Sequence, residues 1–222
     1  MMKDKNPIPQ SIIFAALAVD VVCFRVLDGR LEMLLGEVVS LGNKYKGQLA
    51  HIGGLIKVKE TAEDAVDRLL NDKGGIKKIY KEQLYTLSKV SRDPRGRVVS
   101  VAYIGLTNKK NLQDLKNARV KTVWKSAYDN SRLAYDHNEI TRIAIGRLRS
   151  KIIYTDIARH LMSKEFTLSD LQKVYEAILG EKMDKRNFRK RILSLGILHD
   201  TKSTIKKGVM RPAILYTFKP NR

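Results

Sequence analysis

A chain of 222 residues, 43% of them apolar, is long enough for two domains that each bury a core, and too apolar for a disordered tail. Its single cysteine, Cys23, excludes an intrachain disulfide or a thiolate metal cluster and points to a reducing cytoplasm. Lys and Arg number 43 against 23 Asp and Glu, a net charge of +20, and residues 181–222 alone hold twelve basic and three acidic side chains. Such a footprint suits a polyanion, and nucleic acid leads because binding releases counterions condensed on its phosphates.

In chain order, the apolar and β-branched residues from Ile12 to Phe24 predict a buried strand. Ile12 to Val19 has the apolarity of a signal-peptide core, but Asp20 interrupts it and it is too short to span a bilayer, so no membrane segment is expected. Asp28-Gly29 separates it from the alternating Leu31, Met33 and Leu35, which predicts a hairpin. A polar loop, Ser40 to Gln48, leads to Gly53 and Gly54. Thr61 then looks like an N-cap with Asp64 three residues on; Ala62, Ala65, Val66, Leu69 and Leu70 share one helix face, and Gly74-Gly75 closes the helix. Tyr85 to Val90 reads as a strand, Ser91 to Gly96 as a turn, and Val98, Val99, Val101, Tyr103 and Ile104 as a further strand. Beyond Asp136 the period becomes helical, with Ile140, Ile143, Ala144 and Leu148 on one face, ending a first domain taken as 1–150.

The remainder, 151–222, reads as a second domain. Ile153, Ile157 and Leu161 predict a short helix. Thr167 and Asp170 cap a second helix, whose stripe of Leu171, Val174, Tyr175, Ile178 and Leu179 ends at Gly180. Asp184 caps a third, in which Phe188, Ile192 and Leu195 point inward while Lys185, Arg186, Asn187, Arg189 and Lys190 occupy the other side and flanks; Gly196 ends it. Strands Ile197 to His199 and Ala213 to Phe218 follow, joined by a basic loop with Lys206, Lys207 and Arg211. Three helices and a basic hairpin make a winged helix-turn-helix, whose third helix offers the guanidinium and amide groups that read guanine and adenine in a major groove. A basic helix alone would equally suit a solvated face; the preceding helix, the compact turn and the basic hairpin favour DNA. RNA is disfavoured, because the aromatic residues fall on core positions rather than on a stacking platform.

Gly54, Glu60, Arg68, Gly75 and Ile76 stand at the spacing of a Nudix box, and the stretch resembles that family. The resemblance implies glutamates one turn apart that hold Mg2+, an oxygen-seeking ion. Their places hold Leu69, Asp72 and Lys73. Leucine has no lone pair to offer and Lys73 puts a cation where the metal would lie, so a binding pocket without hydrolysis is expected, with no catalytic residue, metal or cofactor. Any amphipathic core helix would share the apolar spacing; the glycine, glutamate, arginine and glycine frame is the more specific part. His51, His137, His160 and His199 are scattered without ligand spacing.

The run FTLSDLQKVYEAILGEKMDKRNFRKRILSLGIL, the ending RPAILYTF, the central SRDPRGRVVSVAY and the altered box together resemble the Nudix-related transcriptional regulators over nearly the whole chain. The resemblance implies an α+β protein: a Nudix-like α/β/α sandwich with a mixed sheet, followed by the winged helix-turn-helix. It further implies a homodimeric repressor on a palindromic double-stranded operator, often of NAD biosynthesis, released by ADP-ribose or a related nucleotide; some relatives regulate sugar use and would respond to a sugar or sugar phosphate. Gly53 and Gly54 are the expected effector cradle, with Arg68, Lys73, Arg92 and Arg95 as charge partners. Two places depart from the family's pattern: His51-Ile52 precedes Gly53 where leucine-proline is usual, and the wing reads Gly208-Val209-Met210-Arg211-Pro212. A Mg-dependent hydrolase with a DNA-binding tail, and a constitutive DNA-binding protein whose first domain only dimerises, are the competing readings.

Overall fold

The computed structural model describes residues 14–39, 44–77, 79–108, 120–206 and 212–220. Alternation along the first strand, β1 (Ala16–Leu27), sends Val19, Val21 and Cys23 into one apolar cluster and Val22 and Phe24 into another, so the strand is buried on both faces. Asp28 and Gly29 take positive φ values of 50° and 73°, the geometry of a tight two-residue hairpin turn into β2 (Arg30–Glu37). With β3 (Leu49–Leu55), β4 (Tyr80–Leu87), β5 (Val98–Leu106) and β6 (Thr122–Ser126) they form a sheet of order β4-β5-β1-β3-β2-β6. β1 and β5 run parallel and the other pairs antiparallel, which makes the sheet mixed.

Helix α1 (Ala62–Gly74) lays Ala65, Val66, Leu69 and Leu70 on one face of that sheet. Thr61 and Asp64 exchange the two capping-box hydrogen bonds, each 3.1 Å, and Gly75 ends the helix at φ 63°. Helix α2 (His137–Tyr154) covers the opposite face with Ile140, Ala144, Leu148 and Ile152. The α/β/α sandwich follows from these two coverings.

The chain continues through a 3-10 turn (Ile157–Leu161) into α3 (Leu168–Leu179), α4 (Lys185–Ser194) and an antiparallel hairpin, β7 (Leu198–Ile205) and β8 (Ala213–Phe218). Thr167 and Asp170 form a second capping box, and Gly180 closes α3 at φ 80°. Phe188 and Ile192 anchor α4, the Phe188 ring standing edge-on to Tyr175 at 5.2 Å. One apolar cluster runs without a break from the sheet through α2 into α3, α4 and Tyr216, and α2 carries the chain across position 150. The Tyr128 hydroxyl donates to the Ile178 carbonyl at 2.6 Å, and Arg149 Nε donates to the same oxygen at 3.1 Å.

Four details differ from the sequence reading. Ile153 belongs to α2, because the helix runs on to Tyr154. β4 begins at Tyr80 rather than Tyr85, since β5 supplies backbone partners to polar residues, and a register shift between Gln83 and Tyr85 breaks the alternation. β7 extends to Ile205, six residues past His199, with Lys202 at φ 62° where the pairing shifts. Leu195 caps α4 at 44% exposure instead of packing inward.

Candidate ligand cavity and nucleic-acid interface

Asp20 is an acid in the middle of an apolar strand, and its carboxylate organises a buried polar centre. It is 6% exposed. Ser100 Oγ on β5 donates to Asp20 Oδ2 at 2.6 Å, Arg92 Nη2 donates to the same oxygen at 3.0 Å, and His137 Nε2 lies 3.5 Å from Oδ1. Burial acts to raise the carboxyl's pKa, but His137, the Ser100 hydroxyl and Arg92 together bring it below the usual carboxylate range. Arg92, with a side chain 4% exposed, also grips Asp136 through two hydrogen bonds of 2.9 and 2.8 Å.

Gly53 on β3 faces Asp20 across the strand pair. A Cβ there would sit 2.1 Å from Asp20 Oδ1 and 2.8 Å from the Val19 carbonyl oxygen, and that second neighbour is backbone and cannot yield. Gly53→Ala is therefore expected to destabilise the fold by about 1–3 kcal/mol, through overpacking and disturbance of the Asp20 contacts. Urea unfolding checks it, and a midpoint equal to wild type would show that the strand pair can open.

Around this centre a cavity is bounded by Gly53, Gly54, Lys73, Arg92, Arg95 and Tyr135, among others. Five of the six expected effector residues thus come together. Lys73 Nζ donates to the Gly53 carbonyl at 2.7 Å, and burial, then Arg68, lower its pKa. Arg95 pairs with Asp93 at 2.6 Å, stays half exposed and stands 5.8 Å over the Tyr135 ring. Tyr135 is held at φ 57°, a left-handed backbone that costs a bulky residue energy and that clusters at functional sites.

The sixth, Arg68, lies outside the cavity lining. Its guanidinium forks onto Glu60 at 2.5 and 2.8 Å and donates to the Leu55 carbonyl at 3.2 Å, which ties the loop before α1 to the helix. Hydrogen bonding from Arg68 lowers the Glu60 carboxyl to about 2. Leu69, where a metal-binding glutamate would stand, is core, and its Cδ2 lies 3.0 Å from the Cβ position of Gly54. Asp72 is exposed, and among the described residues no three His, Cys, Asp or Glu side chains gather as a metal would require.

The fold also brings together residues that their spacing keeps apart. His51 and His137, 86 positions distant, stack with ring centroids 5.4 Å apart and an interplanar angle of 17°. Both are buried; burial, then repulsion from His137, lowers His51 to about 3, and burial lowers His137 as well. The readable signals are an acid inside an apolar strand and a histidine two residues before the Gly-Gly pair.

In the winged-helix part of the chain, α4 presents its second side. Lys185, Arg186, Asn187, Arg189 and Lys190 are all exposed, and among the described residues none of these side chains makes an ion pair or hydrogen bond. Arg191, one position on, instead turns back to the Ile153 carbonyl at 3.3 Å. Lys206 is exposed just past β7; Lys207 and Arg211 lie outside the described residues.

Residues 158–218 match the NrtR DNA-binding winged helix domain. Over 206 residues the chain is 33% identical to the ADPR responsive transcriptional repressor NtrR of Acinetobacter baylyi, across 91% of this chain and 81% of that protein. It is similar to Shewanella oneidensis NrtR solved with a 27mer DNA, with a TM-score of 0.80 and 32% identity over 91% of this chain and 93% of that one. The Nudix domain of the same Shewanella protein, solved with ADP ribose, matches 66% of this chain and 99% of that one at a TM-score of 0.57 and 31% identity. Likeness of this extent, reaching through the sandwich and the winged helix alike, means that the chain belongs to the NrtR family of Nudix-related transcriptional regulators.

Proposed function

We propose that the protein is a repressor which holds a palindromic operator as a homodimer and lets it go when ADP-ribose or a related nucleotide enters the cavity beside Asp20. NAD-related metabolism is the set of genes that fits such an effector. The observation that carries the reading is the pairing, in one chain with one continuous core, of a polar cavity bordered by Lys73, Arg92 and Arg95 and an unengaged basic helix face. Residues 1–150 bind the effector and dimerise, and 151–222 read DNA. Lys185, Arg186, Asn187, Arg189 and Lys190 approach the major groove, and Lys206, Lys207 and Arg211 the flanking phosphates. In the cavity Gly53 and Gly54 let the ligand approach the backbone, Lys73 and Arg95 meet its phosphates, and Arg92 frames the wall. Arg68 braces the loop from outside.

Hydrolysis is not part of this reading. Support comes from the core position of Leu69 and from the Lys73 ammonium beside the Gly53 carbonyl, at two places where the Nudix resemblance implies metal-holding carboxylates. For a full switch the effector must favour the DNA-free conformation by about 5.5 kcal/mol, and a small change in the spacing of two α4 helices is enough to spoil contact with half-sites one helical turn apart.

The test is binding to a duplex selected by the protein from random sequence, measured with Mg2+ and with ADP-ribose, NAD or ribose 5-phosphate. ADP-ribose is expected to weaken binding more than tenfold without forming AMP. Release by ribose 5-phosphate alone would move the effector to the sugar phosphates. Mg2+-dependent AMP formation that disappears in Asp72→Ala would make the protein an enzyme.

A further inference from the structure

His51 follows the alternation of β3, two residues before Gly53, so both positions project on the α2 side of the sheet. The residue is 3% exposed and borders the cavity. The hydrogen-bond network assigns its protons. The His51 backbone N–H donates to His137 Nδ1 at 2.8 Å, so that nitrogen carries a lone pair and neutral His137 keeps its proton on Nε2, toward Asp20. The Thr141 hydroxyl donates its one proton back along the helix to the His137 carbonyl at 2.9 Å, a nearer and stronger acceptor than the Met33 sulfur at 4.0 Å. Toward His51 Nε2, 2.7 Å away, Thr141 Oγ1 is therefore the acceptor. His51 accordingly holds its ring proton on Nε2 and a lone pair on Nδ1. That Nδ1 is buried, and among the described residues no donor reaches it. Burial keeps the ring neutral at ordinary pH, so the lone pair persists.

Buried acceptors without a donor are uncommon in folded proteins because they give up hydration and gain nothing in return. The residue that carries this one lines the cavity. We propose that His51 Nδ1 is a specificity-determining acceptor for a neutral O–H or N–H group of the bound nucleotide, either a sugar hydroxyl or the amino group of the base. The inference rests on the reading of the cavity as a nucleotide site.

The experiment titrates the full-length protein, wild type, His51→Phe and His51→Gln, with ADP-ribose and with its hypoxanthine analogue, which lacks the amino group. The ring nitrogens of His51 are followed by 15N NMR. Phenylalanine is expected to weaken ADP-ribose at least tenfold, and glutamine, whose amide oxygen can accept, to stay within about threefold of wild type. In the wild type, saturation with ADP-ribose should move the Nδ1 resonance in the direction of an accepted hydrogen bond, a readout that does not depend on either variant folding. A sugar-hydroxyl contact predicts the same loss in His51→Phe for both compounds; an amino contact predicts a loss for ADP-ribose only. An unmoved Nδ1 resonance in saturated wild-type protein overturns the assignment of His51 and leaves the functional reading standing. Absence of binding by wild type to both compounds overturns the functional reading, and this inference with it.

Discussion

Alanine at both Arg186 and Lys190 is expected to reduce operator affinity by at least about 30-fold while leaving the fold intact, since each base-directed contact is worth about 1–3 kcal/mol. Both side chains are exposed on α4, whose hold on the domain comes from Phe188, Ile192 and the Asp184 cap. Truncation therefore removes groups aimed at solvent without opening the core, and stability should stay within about 0.5 kcal/mol of wild type. Fluorescence anisotropy on the selected duplex, repeated over a range of salt, separates two roles. A residue that meets a base relaxes sequence preference, whereas one that meets a phosphate lowers the salt slope by about 1. Unchanged affinity and an unchanged slope in the double variant would remove α4 from the DNA interface.

Arg92→Ala is expected to cost about 3–5 kcal/mol of stability, the range found when one partner of a buried ion pair is removed and the other stays buried. For a chain of this size that corresponds to a fall in Tm on the order of 10 °C. Among the described residues Arg92 is the guanidinium that joins Asp20 on β1 to Asp136 at the start of α2, and its loss leaves the buried Asp20 carboxylate with Ser100 and His137 as its remaining described side-chain partners. Acid should narrow the gap. In the wild type Asp20 titrates below its unfolded value, so its share of the stability is complete above about pH 4 and disappears as pH falls through the folded pKa. In the variant the carboxyl loses a lowering influence and burial raises it, so protonation relieves the unpaired charge. Urea midpoints at pH 7 and at pH 4 measure both effects. A variant as stable as wild type at pH 7 would show that water or a shift of the chain takes over the role of Arg92.

Both changes act on groups that differ in how readily a sequence discloses them. The α4 face could be read directly, because Asp184, Phe188 and Ile192 lie within nine residues and helical geometry alone sorts the basic side chains onto the other side. The same holds for α1 and α3, where each capping box is closed by residues three apart. The box frame is legible for a similar reason, since Glu60 and Arg68 meet across the short cap and about two helical turns. β4 was placed too late because a strand rich in polar residues owes its existence to partners on β5, and its register shift erases the alternation that would announce it.

The cavity lies at the far end of that scale. Asp20 meets Ser100 across the parallel β1–β5 pair, Arg92 reaches back to Asp20 and forward to Asp136, and His51 stacks on His137. The amino-acid sequence by itself determined the elements whose causes are local: the caps, the amphipathic faces of α1, α3 and α4, the β1–β2 turn and the excess of positive charge toward the end of the chain. Only the tertiary structure decided that Arg68 braces a loop instead of facing the cavity, that Asp20 and two histidines form its buried wall, and that the winged helix shares a core with the sheet. Local geometry acts over a few residues of chain, whereas a buried charge or imidazole takes its partners, its protonation and its purpose from side chains that are neighbours only in space.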